Sequence, residues 1–269
     1  MDRPKVLDSR ILVVGGAGFI GSHLVDRLLE TGAQEVVVID NLFVGRTENL
    51  AEADSSPRFR FYRDDAEFAD VVHHVLATHR IDIVFSCATK ALNYSFSCPR
   101  SAYHTNIAVI LNLLEELRLG TFATLCHFSS SEAYGSAKYR PMDEDHPLLP
   151  TTTYAAGKAA ADLALQSYVR MFDLDAFIVR PFNNYGPRQN DEGPLAAVIP
   201  RTVLRILRGE APEVHGTGDQ ERDFVFVQDT VSTVLALYPI MDRGDVVNVA
   251  TKGRRTIGDV IKEIGAMMG

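Results

Sequence analysis

The chain has 269 residues, of which 46% are hydrophobic and 23% charged, with a formal net charge of −8. This composition is typical of a globular protein that buries a sizeable core. The acidic balance argues against general nucleic-acid binding, which requires a basic surface. No apolar run reaches the ~20 residues of a membrane-spanning helix, and the N-terminal stretch lacks a signal-peptide pattern, so we expect no membrane partner.

The cysteines and histidines indicate neither a disulfide framework nor a metal site. The three cysteines (Cys87, Cys98 and Cys126) are scattered, and His73 and His74 fall in a polar helical stretch. We therefore expect no metal, a surface position for the two histidines, and a reducing cytoplasmic location.

Residues 1–180 alternate short β-branched runs with helical patterns. Strands are predicted at RILVVGG, EVVVID, RFRFY, IDIVFSCA, LCHFSSS and AFIVRP, with helices such as SHLVDRLLETG and NIAVILNLLEELRLG between them. The second helix places a row of apolar residues on one stripe, and both helices are followed by glycine stops. The stripe and the stops are Ile107, Ile110, Leu111, Leu114, Leu117, Gly32 and Gly120. This alternation predicts an α/β fold with a doubly wound parallel sheet of the Rossmann type.

The pattern loosens after residue 180. PFNNYGPRQNDEGPLAAVIP indicates a long functional loop, followed by a helix at RTVLRILRG, a short strand at PEVHG, and RDFVFVQDTVSTVLALY. We expect a dinucleotide-binding Rossmann domain over residues 1–180. A smaller C-terminal substrate-binding lobe should cover residues 181–269, with some of its segments returning to the first domain.

The first predicted strand runs into a glycine motif, ILVVGGAGFIGSHL. Gly15, Gly18 and Gly21 have the spacing that lets main-chain N–H groups and a helix N-terminus approach a pyrophosphate. Asp40 ends the second strand 19 residues after Gly21, where a carboxylate accepts hydrogen bonds from an adenosine ribose and repels a 2′-phosphate. The motif predicts NAD rather than NADP, although the nearby Arg46 weakens that preference.

Two tyrosine–lysine pairs compete for a catalytic role. Tyr134 and Lys138 are separated by turn residues, so they need not share a face. Tyr154 and Lys158 stand at i and i+4 in an alanine-rich helix that residues 151–153 can cap. We expect the lysine cation to lower the pKa of the phenol and create a base. Ser130, at the carboxyl end of a strand, can orient a substrate alcohol against Tyr154.

The stretches GGAGFIGSHL, DNL, SSSEAYG, YAAGK, RPFNNYGPRQ and RDFVFVQD resemble the NAD-dependent nucleotide-sugar epimerase/dehydratase family of extended short-chain dehydrogenases/reductases. The resemblance implies a Ser130–Tyr154–Lys158 triad, tightly held NAD and a nucleotide diphosphate sugar substrate. It also implies a homodimer joined through the helices around residues 107–117 and 154–168. Cofactor contacts are expected from Gly15, Gly18, Phe19, Ile20, Gly21, Asp40, Asn41, Asp64, Lys90, Tyr154 and Lys158. Substrate contacts are expected from Lys90, Ser130, Asn183, Arg188 and Arg222.

Glu132 separates the reactions that such enzymes catalyse from a 4-keto sugar. It follows Ser130 by two residues, so an extended chain would place both side chains on one side. In similar dehydratases the matching glutamate is the base that removes the C5 proton, which favours 4,6-dehydration of a UDP- or dTDP-hexose. UDP-sugar 4-epimerisation and UDP-glucuronate decarboxylation remain open, as do a dehydrogenase that releases NADH and a catalytically silent NAD-binding sensor.

Overall fold

The computed structural model describes residues 3–214 and 216–269. Its strands are β1 (Arg10–Val14), β2 (Glu35–Ile39), β3 (Phe59–Tyr62), β4 (Ile83–Ser86), β5 (Thr124–Phe128), β6 (Ala176–Pro181), β7 (Asn183–Tyr185), β8 (Glu221–Arg222), β9 (Phe224–Phe226), β10 (Val246–Val249) and β11 (Arg255–Thr256). The α-helices are α1 (Phe19–Glu30), α2 (Ala51–Asp54), α3 (Ala69–His79), α4 (Pro99–Arg118), α5 (Thr153–Phe172), α6 (Val198–Leu207), α7 (Val227–Leu237) and α8 (Ile257–Met268). Short 3₁₀ helices cover Thr47–Leu50, Leu92–Phe96, Ser131–Tyr134 and Gly193–Leu195.

Seven parallel strands form the central sheet in the order β10-β6-β5-β4-β1-β2-β3. The predicted doubly wound sheet and all six strands predicted within residues 1–180 are confirmed. The strand order reverses between β1 and β4, and ligands bind at such a switch point beyond the carboxyl ends of the strands.

Helices cover both faces of the sheet, which explains why its strands read as nearly continuous apolar runs. One face packs against α1 and α7, where Leu24 and Val234 are fully buried. The other packs against α3, α4 and α5, where Leu76 and Leu165 are buried. Burying each such side chain contributes about 1.5–3 kcal/mol to folding.

The predicted stripe on α4 is only partly correct. Ile110, Leu114 and Leu117 are buried, but Leu111 is 37% exposed and Ile107 is half-buried. The helix begins at Pro99, and its buried face is rotated toward Val109 and Leu113 because α4 packs against both the sheet and α5. The glycine stops are confirmed, since Gly32 and Gly120 follow the helix ends with φ of +91° and +75°.

The C-terminal part contributes to two regions. Strands β7 and β9 pair with each other, β8 pairs with β11, and α6 packs on α8. Strand β10 joins the central sheet beside β6, and α7 packs on α1. The strand predicted at PEVHG is wrong for residues 212–214, which are irregular, and His215 lies outside the described residues. A domain boundary after residue 180 remains a prediction.

Within the described ranges, no helix combines the length and apolar character needed to cross a membrane. The same residues hold no group of three or more His, Cys, Asp or Glu side chains placed to bind a metal ion. His73 and His74 are exposed, as predicted, and the three cysteines are free thiols.

Candidate active site

The turn after β1 brings the glycine motif against the start of α1. Gly15 has φ of +81°, and a Cβ there would lie 2.6 Å from main-chain atoms of Ala88. A Cβ at Gly21 would lie 2.2 Å from the carbonyl oxygen of Gly15, so only glycine permits this helix to pack so closely on the turn. Helix α1 has no side-chain cap and no acidic residue in its first turn. Its N-terminus therefore fits an anionic pyrophosphate.

A cavity of about 310 Å³ adjoins this turn and contains the predicted cofactor residues from the first half of the sheet. Its lining includes Gly15, Gly18, Phe19, Ile20, Gly21, Asp40, Asn41, Asp64 and Lys90. Lys90 is 8% exposed, and its ammonium group lies 3.7 Å from the centre of the Phe43 ring. The Asn41 amide donates a hydrogen bond to Asp65 (2.7 Å).

Asp40 borders the cavity at the end of β2, where the glycine motif predicted a ribose acceptor. Its carboxylate accepts hydrogen bonds from the main-chain N–H groups of Ala17 (2.9 Å) and Leu42 (2.8 Å). Burial raises the pKa of Asp40, while these amides counteract the rise by favouring the charged form. Arg46 pairs with Asp191 (2.6 Å) and not with Asp40. Its position therefore gives no support to a site for a 2′-phosphate.

A second cavity of about 860 Å³ continues from the first and shares Phe19, Ile20 and Thr89 with it. It brings together the predicted catalytic side chains, among them Ser130, and two further predicted substrate residues. These are Ser130, Glu132, Tyr154, Lys158, Asn183 and Arg222.

Tyr154 lies in the first turn of α5 and is 9% exposed. Thr152 caps this helix by accepting a hydrogen bond from the main-chain N–H of Ala155 (3.1 Å), as the sequence predicted. Burial raises the pKa of Tyr154, a hydrogen bond with Ser130 lowers it, and the Glu132 carboxylate raises it. The predicted net lowering is wrong for this structure because desolvation of the phenolate dominates.

Lys158 is 2% exposed and points toward the end of β5. Its Nζ donates a hydrogen bond to the main-chain carbonyl of Phe128 (2.8 Å). Burial lowers the pKa of Lys158 to about 8, and the Asp162 carboxylate opposes that fall. The lysine is therefore mostly an ammonium ion at neutral pH.

Ser130 and Glu132 reach the same cavity through a turn, so the predicted extended chain is wrong. Ser130 caps the 3₁₀ helix Ser131–Tyr134, and its Oγ accepts a hydrogen bond from the main-chain N–H of Glu132 (3.2 Å). The serine therefore fixes the backbone position of Glu132.

Tyr134 is fully buried and lies outside the lining of both cavities. Its hydroxyl donates to Asn248 (2.8 Å) and accepts from Arg180 (2.8 Å), while Lys138 is exposed. Of the two tyrosine–lysine pairs, Tyr154 and Lys158 form the one that lines the larger cavity.

Two predicted substrate residues, Arg188 and Lys90, lie on the other side of the cleft. Both line the cavity beside the glycine turn and not the one beside Tyr154. Arg188 has φ of +64° and pairs with Asp26 of α1 (2.6 Å). The turn that follows β7 directs this arginine back across α1, so the structure does not support a contact with the sugar.

Sequence reasoning missed two arginines on α6 that line the larger cavity. Arg201 and Arg205 lie one helical turn apart, and both approach Glu213, at 2.6 Å and 3.9 Å. Their i, i+4 spacing in RTVLR was a signal that both would lie on one helix face.

Asn106 of α4 was also missed. Its side chain accepts a hydrogen bond from Thr89 (2.8 Å) and donates one to the main-chain carbonyl of Tyr154 (3.3 Å). It therefore ties the loop after β4 to the start of α5. An asparagine within a long helix carries no local signal for such a role.

These features are those of a dinucleotide-binding enzyme whose cleft has two adjoining chambers, the two cavities described above. The chain belongs to the NAD-dependent epimerase/dehydratase family, and the model of that family matches residues 11–250. The predicted family and its NAD cofactor are confirmed. The glycine turn, the uncapped helix N-terminus and Asp40 all fit that dinucleotide.

The chain is similar to enzymes that catalyse different reactions. It is 37% identical to a UDP-glucose 4-epimerase of Mycolicibacterium smegmatis over 90% of this chain and 77% of the relative. It is 34% identical to UDP-glucuronic acid decarboxylase 3 of Arabidopsis thaliana over 95% and 74% of the two chains. The structure also matches dTDP-glucose 4,6-dehydratase DesIV of Streptomyces venezuelae, which was solved with NAD and TYD bound. The TM-score is 0.91, and the identity is 31% over 97% of this chain and 81% of DesIV. The family comprises NAD-dependent nucleotide-sugar epimerases, dehydratases and decarboxylases, and it does not fix which of these reactions the chain catalyses.

Proposed function

We propose that the protein is a 4,6-dehydratase of a UDP- or dTDP-hexose that acts through a 4-keto intermediate. The observation that carries this proposal is the carboxylate of Glu132 in the same cavity as Ser130, Tyr154 and Lys158. The similarity to a 4-epimerase at 37% identity favours 4-epimerisation as the second candidate.

The triad residues have distinct roles in oxidation of the sugar. NAD, when bound, supplies a reversible hydride acceptor. Tyr154 takes the proton of the sugar 4-hydroxyl, and Ser130 orients that hydroxyl through its hydrogen bond with the phenol. Lys158 offsets the cost of the buried phenolate with its positive charge.

Glu132 acts after the 4-ketone has made the C5 proton acidic. Its carboxylate removes that proton, and the electron pair of the C5–H bond forms a double bond to C6 as the 6-hydroxyl departs. The Glu132 carboxyl gives the proton to the leaving oxygen, which departs as water. Return of the hydride to C6, with a proton at C5, would complete a 4-keto-6-deoxy sugar and restore the oxidised cofactor. One carboxyl group can thus serve as base and then as acid, without an acidic side chain at the neighbouring Ser131.

The charge of the larger cavity supports an anionic substrate. Arg222, Arg201 and Arg205 all line it, and Asn183 adds an amide. Guanidinium groups match the geometry of phosphate oxygens, so these residues are suited to hold a nucleoside diphosphate.

We also propose that the protein is a cytoplasmic homodimer joined through α4 and α5. Large apolar side chains are exposed on these helices: Leu111 at 37%, Leu163 at 55% and Phe172 at 43%. Exposed apolar side chains of this size are common at protein interfaces. A monomer measured by light scattering at micromolar concentration would contradict the dimer.

The decisive test is the mass of the product after incubation with UDP-glucose, UDP-N-acetylglucosamine, dTDP-glucose and UDP-glucuronate. A loss of ~18 mass units supports dehydration. A loss of ~44 mass units would instead indicate decarboxylation, and an unchanged mass with a new sugar would indicate epimerisation; either result would contradict the proposal. Glu132→Gln should reduce dehydration at least ~100-fold and still permit NADH formation. Glu30→Gln, an equal charge change at an exposed site of α1, should keep full activity. Full dehydration by Glu132→Gln would refute the role of the carboxylate.

A further inference from the structure

A buried group of charged side chains lies behind the catalytic lysine. Asp162 stands one helical turn after Lys158 on α5 and is 0% exposed, and Arg180 of β6 is 3% exposed. One carboxylate oxygen of Asp162 accepts hydrogen bonds from Arg180 Nε (2.9 Å) and from Ser129 Oγ (2.9 Å). The Lys158 charge acts on the same carboxylate without a direct ion pair between the two side chains. Burial raises the pKa of Asp162, and the Arg180 and Lys158 cations oppose that rise.

The other oxygen of Asp162 lies 3.7 Å from Nε2 of His127 on β5. In the described part of the chain, neither this oxygen nor either ring nitrogen of His127 has a hydrogen-bond partner. Burial lowers the pKa of His127 well below its ordinary value, and the Lys158 and Arg180 cations lower it further. The ring is therefore neutral and adds no charge to the group.

Within residues 3–214 and 216–269, the other groups that act on Lys158 supply no second anion at neutral pH. Burial raises the pKa of the Cys87 thiol, in the loop after β4, to about 12. Burial also raises the pKa of Tyr154, so the phenol is neutral before it meets substrate. Glu132 lies at the cavity and acts on Tyr154. Asp162 is the carboxylate whose charge supports the Lys158 ammonium ion.

We propose that Asp162 is a positioning residue of the reaction centre: it supplies the buried counter-charge that keeps Lys158 cationic, and Arg180 holds its carboxylate in place. A buried amine tends to lose its proton, and a nearby carboxylate opposes that loss. A neutral lysine could not stabilise the Tyr154 phenolate. The inference rests on the proposed roles of Tyr154 and Lys158.

The geometry distinguishes this role from a simple arginine–aspartate bridge. Arg180 also donates a hydrogen bond to the Tyr134 hydroxyl (2.8 Å), so its guanidinium is fixed from two sides. Buried ion pairs contribute little net stability because desolvation offsets their attraction. Lys158 is a second cation and lies one turn away from Asp162 on the same helix. The buried carboxylate can therefore act on the charge of Lys158 as well as pair with Arg180.

The test measures the titration of Lys158 directly and requires no substrate. The chain has six lysines, so carbon-13 labelling at Cε gives a sparse NMR spectrum in which Lys158→Met assigns the signal of interest. Asp162→Asn should move the titration midpoint of Lys158 down by about one pH unit or more. Asp175→Asn is the matched control, since Asp175 also pairs with a partly buried arginine, Arg3, but lies before β6 at the opposite end of the sheet. The control should leave the midpoint in place.

Arg180→Met gives a second expectation, which decides the matter if Asp162→Asn does not fold. Burial raises the pKa of Asp162 and Arg180 opposes that rise, so without the guanidinium the carboxylate should lose charge and the Lys158 midpoint should fall. An unchanged midpoint in folded Asp162→Asn, or in Arg180→Met, overturns the proposal. In the product assay, the activity of Asp162→Asn should decline at lower pH than that of the wild type, because the required cation is lost as pH rises through its pKa. The NMR titration of Lys158 requires no substrate. It can therefore contradict the role of Asp162 while the product assay supports the proposed reaction, and the reverse is also possible.

Discussion

The two chambers of the cleft differ in how locally they are built. The dinucleotide chamber, the cavity of about 310 Å³, centres on the glycine turn and the start of α1, although Phe43, Lys90 and Arg188 also line it. The second chamber, the cavity of about 860 Å³, is called the sugar chamber after its proposed substrate and is lined by side chains from separate segments, including Glu132, Tyr154, Arg201 and Arg222. The glycine turn is thus a local feature of the sequence, whereas only the tertiary fold brings the side chains of the sugar chamber together.

The largest expected effect tests whether the sugar chamber contains the base. Tyr154→Phe removes a hydroxyl that bonds to Ser130, and it leaves the glycine turn untouched. Turnover should fall by about 10²–10⁴-fold, because proton transfer from the sugar alcohol loses its acceptor. NAD binding, measured by calorimetry, should remain within about threefold of the wild type.

Tyr134→Phe is the matched control in the core. It removes a hydroxyl that bonds to Arg180 and Asn248, so the expected cost is about 1–3 kcal/mol in the free energy of unfolding. Turnover per folded molecule should stay near the wild-type value. A large loss of turnover in Tyr134→Phe but not in Tyr154→Phe would reverse the assignment of the two tyrosines.

The same contrast explains what the sequence could predict. The six strands, the glycine turn and the Tyr154–Lys158 pair depend on local patterns of apolar residues, glycines and helical spacing, so all were recognised. The extended path assumed from Ser130 to Glu132 was wrong because a side-chain cap turns the chain. The lowering of the Tyr154 pKa that was expected from the Lys158 cation was wrong. Burial, which the sequence does not show, dominates the shift, and Lys158 is not among the groups that cause it.

Other features depend on long-range pairing. Arg188, which was expected at the substrate, pairs with Asp26, 162 residues earlier in the sequence, and its contact with substrate stays a prediction. Strand β10 was missed because its four residues join the sheet only through pairing with β6. The spacing of Arg201 and Arg205 could have predicted that both lie on one face of a helix. The ion pair between Arg201 and Glu213 could not be predicted, because it forms only in the folded chain.

A smaller effect is expected at the dinucleotide chamber. Gly21→Ala places a Cβ against the Gly15 carbonyl, and this contact cannot be relieved by moving a side chain. The free energy of unfolding should fall by about 1–3 kcal/mol, and NAD should bind more weakly because the turn is displaced.

Gly265→Ala in α8 is the control for this change. A Cβ there meets no atom within 4 Å, so the substitution should raise stability by about 0.5–1 kcal/mol through helix propensity. Denaturant unfolding and calorimetry check both variants. Wild-type NAD affinity in Gly21→Ala would show that close packing of the turn is not what prepares the cofactor site.

The smallest expected effect concerns the α6 arginines. Arg201 is already paired with Glu213, and both side chains are about two-fifths exposed, at 38% and 41%. A substrate diphosphate must therefore compete with that carboxylate and with water, which limits the binding energy that one guanidinium can add. Arg201→Gln should raise KM about tenfold and leave kcat nearly unchanged, because the contact holds substrate and transition state alike. Arg208→Gln, at the exposed end of the same helix, should keep the wild-type KM. Equal KM values for the two variants would mean that Arg201 only anchors the segment containing Glu213, and the substrate grip would then rest on Arg222, Arg205 and Asn183.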